Sequence, residues 1–189
     1  MENVDRGRVF SYNRTMVGKM RKIRLVLQIL LSVATLLWLS FILSNSLKTA
    51  EQSATQSSTI VETVQQVAQV IAPESKIANA TGEAYDALHA FGRNCAHLVE
   101  FAVLGALCCW CYFAYTLQRK YFYIPLLGVL FVPFLDEYLQ TFSLGRGVEL
   151  TDLALDICGG LAGMLFAACC VMIGVRIYRK RKRNHHVCE

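Results

Sequence analysis

The chain has 189 residues, the size of one domain, but 54% of them are hydrophobic and 17% charged, against roughly 25% charged in soluble domains. With a mean hydropathy of +0.38, the expected solvent is a bilayer rather than water. The net charge of +5 does not point to nucleic acid, because seven of the 19 Lys and Arg fall between Arg6 and Arg24 and six between Arg176 and Arg183; both runs abut apolar segments, where anionic lipid headgroups are the expected partner.

Residues 1–24 form a basic leader. Leu25 to Leu43 is then a nearly unbroken apolar run of 19 residues, long enough for a hydrocarbon core of about 30 Å at about 1.5 Å per residue. A retained anchor is expected, since the charged leader is long and no A-x-A cleavage site follows. The connection 44–92 carries helical signals of its own. Thr59-x-x-Glu62 fits a capping box, and Ile60, Val64, Val67 and Ile71 follow as one apolar stripe. Pro73 should end that helix, and Asn79 to Gly82 should turn. Tyr85, Leu88 and Phe91 then open a helix running into the next span. An element of this kind either caps the bundle or lies on the leaflet.

The second span is expected at 96–117, the third at 122–139 and the fourth at 153–175. The third is the weakest: Pro125 and Pro133 interrupt it, and its uncharged part stops at Leu135. Charge bias decides whether it crosses. The leader, the connector Gln118–Tyr121 and the tail 178–189 are rich in Lys and Arg, and the other two connections are not. That places both termini and the 118–121 connector in the cytoplasm, and both ends on one side require an even number of crossings. The expected fold is therefore all-α: a polytopic four-helix transmembrane bundle with cytoplasmic termini, a bend at Pro133, and an amphipathic extracellular helical loop at 44–92. Residues 25–177 would form a single membrane domain. Six of the eight cysteines lie in apolar runs, where a thiol acts as a small hydrophobe, and no disulfide framework is legible. Gly159-x-x-x-Gly163 is a small-residue pattern that lets helices approach closely.

Charged groups interrupt the apolar runs at one end of this topology. Arg93, His97 and Glu100 share one helix face at the outer start of the second span. Asp136 and Gln140 share another at the outer end of the third, with Glu137 beside them. Asp152 and Asp156 share a third at the start of the fourth, and Arg146 lies in the loop between. A carboxylate deep in a bilayer costs on the order of 3 kcal/mol, so these groups are expected to face one another, a cation or water. Glu100, Asp136, Glu137, Asp152 and Asp156 outnumber Arg93, Arg146 and His97. Some carboxylates are then expected to be protonated, metal-bound or hydrogen-bonded together. Two explanations stand: an ion-pair network that fixes helix register, or a ligand or catalytic site.

These residues resemble the VanZ-like family of small bacterial membrane proteins. The family's Arg and His four residues on are matched in RNCAHLVEFAVLG by Arg93 and His97. Its acidic pair, Gln, loop Arg, Asp and spaced Gly pair are matched in DEYLQTFSLGRGVELTDLALDICGGLAG by Asp136, Glu137, Gln140, Arg146, Asp152, Gly159 and Gly163. FILSNS, Phe41 to Ser46, resembles the family's F-x-x-S ending of the first span. The chain departs from the family where Asp156 stands for a usual Asn and Phe101 for a usual Tyr.

The resemblance implies the bacterial plasma membrane, the cell envelope, and a context of low-level resistance to the lipoglycopeptide teicoplanin. One expectation is a non-enzymatic protein whose outward polar pocket (Arg93, His97, Glu100, Asp136, Glu137, Gln140, Arg146, Asp152, Asp156) binds a charged lipid headgroup or the drug. The alternative is a membrane-embedded hydrolase or transferase acting on a lipid-linked wall intermediate. His97, Glu100, Asp136 and Asp152 are its catalytic candidates, and a divalent metal, if present, would take its ligands from His97, Glu100, Asp136 and Asp156. No other cofactor is expected. Membrane lipids are the expected partner, and a small-solute or proton pathway would require an oligomer.

Overall fold

A computed structural model describes the backbone of residues 2–116 and 118–185, and side chains from Gly18 onward except at 119, 182 and 185. Leu117, expected to end the second span, and the last four tail residues, Cys188 among them, lie outside the described residues. The described residues fold as five α-helices: α1 (Glu2–Ser46), α2 (Ala50–Ile71), α3 (Glu83–Tyr115), α4 (Tyr123–Gln140) and α5 (Leu150–His185), with a short 3₁₀ turn at Arg119–Tyr121.

Among the described residues, three helical stretches are long and apolar enough to cross a membrane: Gly18–Ser46, Glu83–Tyr115 and Leu150–Arg181. α4 is not among them, because Asp136, Glu137 and two prolines dilute its 18 residues. Neither proline ends the helix. Pro125 lies in the first turn, where backbone N–H groups have no partner to lose, and Pro133 lies inside.

α2 begins well before its expected start. Its cap is Thr49 rather than Thr59. The Thr49 hydroxyl accepts from the Gln52 N–H at 3.3 Å, and Gln52 Oε1 accepts from the Thr49 N–H at 3.1 Å. Thr59 lies inside the helix and donates its hydroxyl to the Thr55 carbonyl at 2.9 Å. Within the Ser/Thr-rich stretch Thr55, Ser57, Thr59 and Thr63 all bond back one turn in this way, so their hydroxyls are satisfied inside the helix. Pro73 ends α2 by restricting Ala72, its C-cap. The expected apolar stripe does not face the bundle: Ile60, Val64, Val67 and Ile71 are exposed, and Val61 is the buried residue. A Cβ at Gly92 of α3 would stand 3.7 Å from Val61 Cγ2, so the helices meet there.

α3 touches all four other helices. Its seam with α5 is made by glycines. A Cβ on Gly159 would fall inside contact distance of the Leu98 backbone, one on Gly163 of the Ala102 backbone, and one on Gly105 of the Gly160 backbone. The small-residue pattern thus sets how closely α3 and α5 approach. Ala106, Cys109, Val129, Met164 and Ala167 form the core among α3, α4 and α5. Ile42, Phe101 and Leu104 form a second cluster between α1 and α3. Cys109 is buried, Cys95, Cys158 and Cys170 are exposed, and every described cysteine is free.

The end of α3 is tied to the start of the α1 span. Arg24 Nε donates to the Ala114 carbonyl at 3.0 Å and Nη2 to that of Tyr115 at 2.9 Å, and Gln28 Nε2 adds a bond to Ala114 at 3.0 Å. A cation on the last carbonyls of a helix also complements the negative end of its dipole. α1 and α4 run toward the end of the molecule that holds Ser46, Arg93, Asp136 and Asp152, and α3 and α5 run away from it.

Candidate functional site

At that end, α1, α2, α3, α4 and the α4–α5 loop enclose a cavity of about 440 Å³. Its wall carries three cations (Lys48, Arg93, Arg146), two carboxylates (Glu100, Asp136), His97 and Gln140, with Gln56 and Ser57 of α2 along one side.

Arg93, His97 and Glu100, stacked on α3, reach polar partners on α5, its preceding loop and α1. Arg93 Nη2 lies 2.5 Å from Asp152 Oδ2 and 3.3 Å from Glu149 Oε2. His97 Nδ1 lies 3.1 Å from Asp156 Oδ1, and Nε2 lies 3.8 Å from Asp152 Oδ2. Glu100 Oε1 accepts from Asn45 Nδ2 at 2.8 Å. Asp152 and Asp156 are buried behind the two basic side chains that line the cavity. Asp136 accepts from Ser46 Oγ on one oxygen and from Gln140 Nε2, at 2.7 Å, on the other. Ser46, Asp136 and Gln140 are all fully enclosed.

Two of the sequence candidates behave differently from the expectation. Glu137 is buried but off the cavity wall. Its Oε2 accepts from the Glu149 N–H at 3.0 Å, so it holds the start of α5, where a negative charge also favours the helix dipole. Arg146 was expected to neutralise a carboxylate, but among the described residues it forms no ion pair. Its bond is to the Asn45 carbonyl, at 3.4 Å. The α4–α5 loop holds it there: Ala50 N–H donates to the Leu144 carbonyl at 3.1 Å, and Ser143 Oγ to that of Ser46 at 2.9 Å.

The sequence reading missed Asn45, Ser46, Lys48 and Ser143. The signal was the polar step Ser44-Asn45-Ser46 at the end of the first apolar run, which places hydrogen-bonding groups where acids on other helices need partners. Lys48 Nζ donates to Asn45 Oδ1 at 2.7 Å and Gln56 Oε1 at 3.1 Å, and among the described residues it too has no carboxylate partner. The arrangement is asymmetric: buried acids are paired at the floor, and two cations at the mouth are free of acids. Chemically, the mouth can take an anion, and the floor can hold a proton or a cation.

The family model described as VanZ/LLP1 matches residues 31–172, most of the chain and all of the residues above. No curated protein and no solved structure matches the chain.

Proposed function

The chain belongs to the VanZ/LLP1 family, and on that premise we propose that it is an envelope protein whose cavity opens outward and receives an anionic group. That group is the headgroup of a lipid or the charged part of a lipoglycopeptide, and holding it reduces the access of a teicoplanin-type drug to its target. The observation that carries this reading is the cavity of about 440 Å³ with Lys48 and Arg146 on its wall, both unpaired with any described acid. A guanidinium and an ammonium that both bond to Asn45, neither paired with a described acid, match phosphate or carboxylate, and the guanidinium can hold either by bidentate contact.

Orientation supports the reading. The clusters Arg6–Arg24 and Arg176–Arg183 belong to the end opposite the cavity, and such clusters stay in the cytoplasm. α4 is then the third of four crossings, its acidic end sheltered inside the cavity rather than in lipid. The exposed face of α2, with Val70 and Ile71 85% and 77% accessible, rests in the outer leaflet beside the mouth. An acyl chain could lie there while its headgroup enters.

The test is drug susceptibility of a sensitive bacterium expressing the chain. Wild type raises the inhibitory concentration of a lipid-bearing glycopeptide more than that of one without a lipid. The double variant Lys48→Ala/Arg146→Ala, at equal membrane abundance, loses that protection. Full protection by the variant would refute the pocket.

A hydrolase or transferase acting on a lipid-linked wall intermediate is the second reading, and one observation favours it. His97 stands on the cavity wall with a buried carboxylate on its ring nitrogen, as a general base is oriented. Product release from a lipid-linked phosphate by the purified chain, abolished in His97→Gln, would select it.

A further inference from the structure

We propose that His97, Asp136 and Asp156 form a binding site for one divalent transition cation of the zinc or manganese class. The inference uses the same cavity as the proposed function but does not depend on what the mouth receives.

The three side chains come from three helices, α3, α4 and α5, and each presents one ligand atom within 4.8 Å of the others. Donors around a single ion of this class stand about 3–4 Å apart, given bonds of about 2.0–2.2 Å. A small inward movement of the three side chains therefore closes the set. One edge is already at that spacing: His97 Nδ1 and Asp156 Oδ1 are 3.1 Å apart, a distance that suits two donors on one ion as well as a hydrogen bond.

A separate observation points to a ligand here. Asp156 is completely buried, and its Oδ2 has no hydrogen-bond partner. An orphaned carboxylate oxygen costs several kcal/mol in a dry interior, and a cation removes that cost. The surroundings also orient the donors, as metal sites require. Ser46 and Gln140 fix Asp136, one on each carboxylate oxygen, and each oxygen keeps a second lone pair for an ion. Glu100, a candidate from sequence, is not in the set: it does not gather with these three donors, and its Oε1 accepts from Asn45.

One imidazole and two carboxylates are borderline-to-hard donors. They suit zinc, manganese or ferrous iron better than copper(I), which prefers sulfur, or calcium, which prefers more oxygens. Three protein ligands leave coordination positions open, as in sites where the ion meets a further ligand. His97 and Asp136 line the cavity, so those positions face the space where an anion would enter.

The experiment uses the full chain, purified without a histidine tag, stripped with chelator, and dialysed against Zn²⁺ or Mn²⁺ alone. Elemental analysis should find about one ion per chain, with apparent affinity at least about tenfold weaker in Asp136→Asn, Asp156→Asn and His97→Gln. The asparagine variants keep side-chain shape, and elution as a single monodisperse species checks their fold. Lys48→Ala/Arg146→Ala should keep the ion, which separates this site from the anion reading. Less than about a tenth of an ion per wild-type chain, or full occupancy retained in His97→Gln, would overturn the proposal. The second result would place the ion outside this set of donors.

Discussion

Arg93→Ala separates a structural role of the polar cluster from a binding role. Arg93 holds two acids of unequal worth. Glu149 is half exposed, at 52% of its side chain, and such a pair contributes about 1 kcal/mol or less. Asp152 is 3% exposed at 2.5 Å. Deleting its partner leaves a buried carboxylate with only His97 Nε2, 3.8 Å away, and breaking a buried pair costs about 3–5 kcal/mol. At about 2–4 °C per kcal/mol for a chain of this size, the thermal transition of Arg93→Ala in detergent should fall by roughly 6–20 °C. Arg93→Ala/Asp152→Asn removes both charges and should recover most of that loss, a coupling that a double-mutant cycle measures. Protection against the drug should not return with the fold, because Arg93 also lines the cavity. A single variant that loses less than about 1 kcal/mol, or a double variant worse than the single, would show that the pair does not lock α3 to α5.

Other perturbations test neighbouring parts of the account. Gly163→Leu forces α5 away from the Ala102 carbonyl and should cost about 1–3 kcal/mol, read as a lower thermal transition with weakened binding at the distant cavity. Ser46→Ala leaves an oxygen of buried Asp136 without its donor and should cost about 1–3 kcal/mol, whereas Ser44→Ala, whose exposed hydroxyl only bonds back to Ser40, should be nearly silent. Lys48→Ala/Arg146→Ala should change thermal stability by less than about 1 kcal/mol, since neither cation is paired with a described acid, while reducing anion affinity in vesicle titrations.

The helices of the bundle were legible because apolar runs of span length admit few alternatives, and glycines four apart announced the close α3–α5 seam. The acids could be assigned to one end because helical spacing puts Arg93, His97 and Glu100 on one face and the charge bias fixes which ends lie together. What the sequence could not show was pairing. Arg146 looked like a counter-ion because it lies between acids along the chain, but loop geometry turns it toward Asn45. Glu137 adjoins Asp136 in sequence yet points about 100° away around the helix, so it anchors α5 instead of lining the cavity. The start of α2 was misplaced because Thr49 and Thr59 both begin capping-box patterns. The earlier cap forms where Ala50 is also tied to the α4–α5 loop through the Leu144 carbonyl, and Val61 rather than the expected stripe packs on Gly92.

The central claim is that polar side chains from separate helices line one outward cavity that takes an anionic group. Gln56 lies on its wall, so Gln56→Cys, in a background with the eight native cysteines replaced by alanine, is a direct reporter. Labelling by a membrane-impermeant maleimide in intact cells, slowed by a teicoplanin-type lipoglycopeptide or an anionic lipid, is the predicted result. Labelling only after the membrane is permeabilised, or at a rate that neither ligand changes, would contradict it.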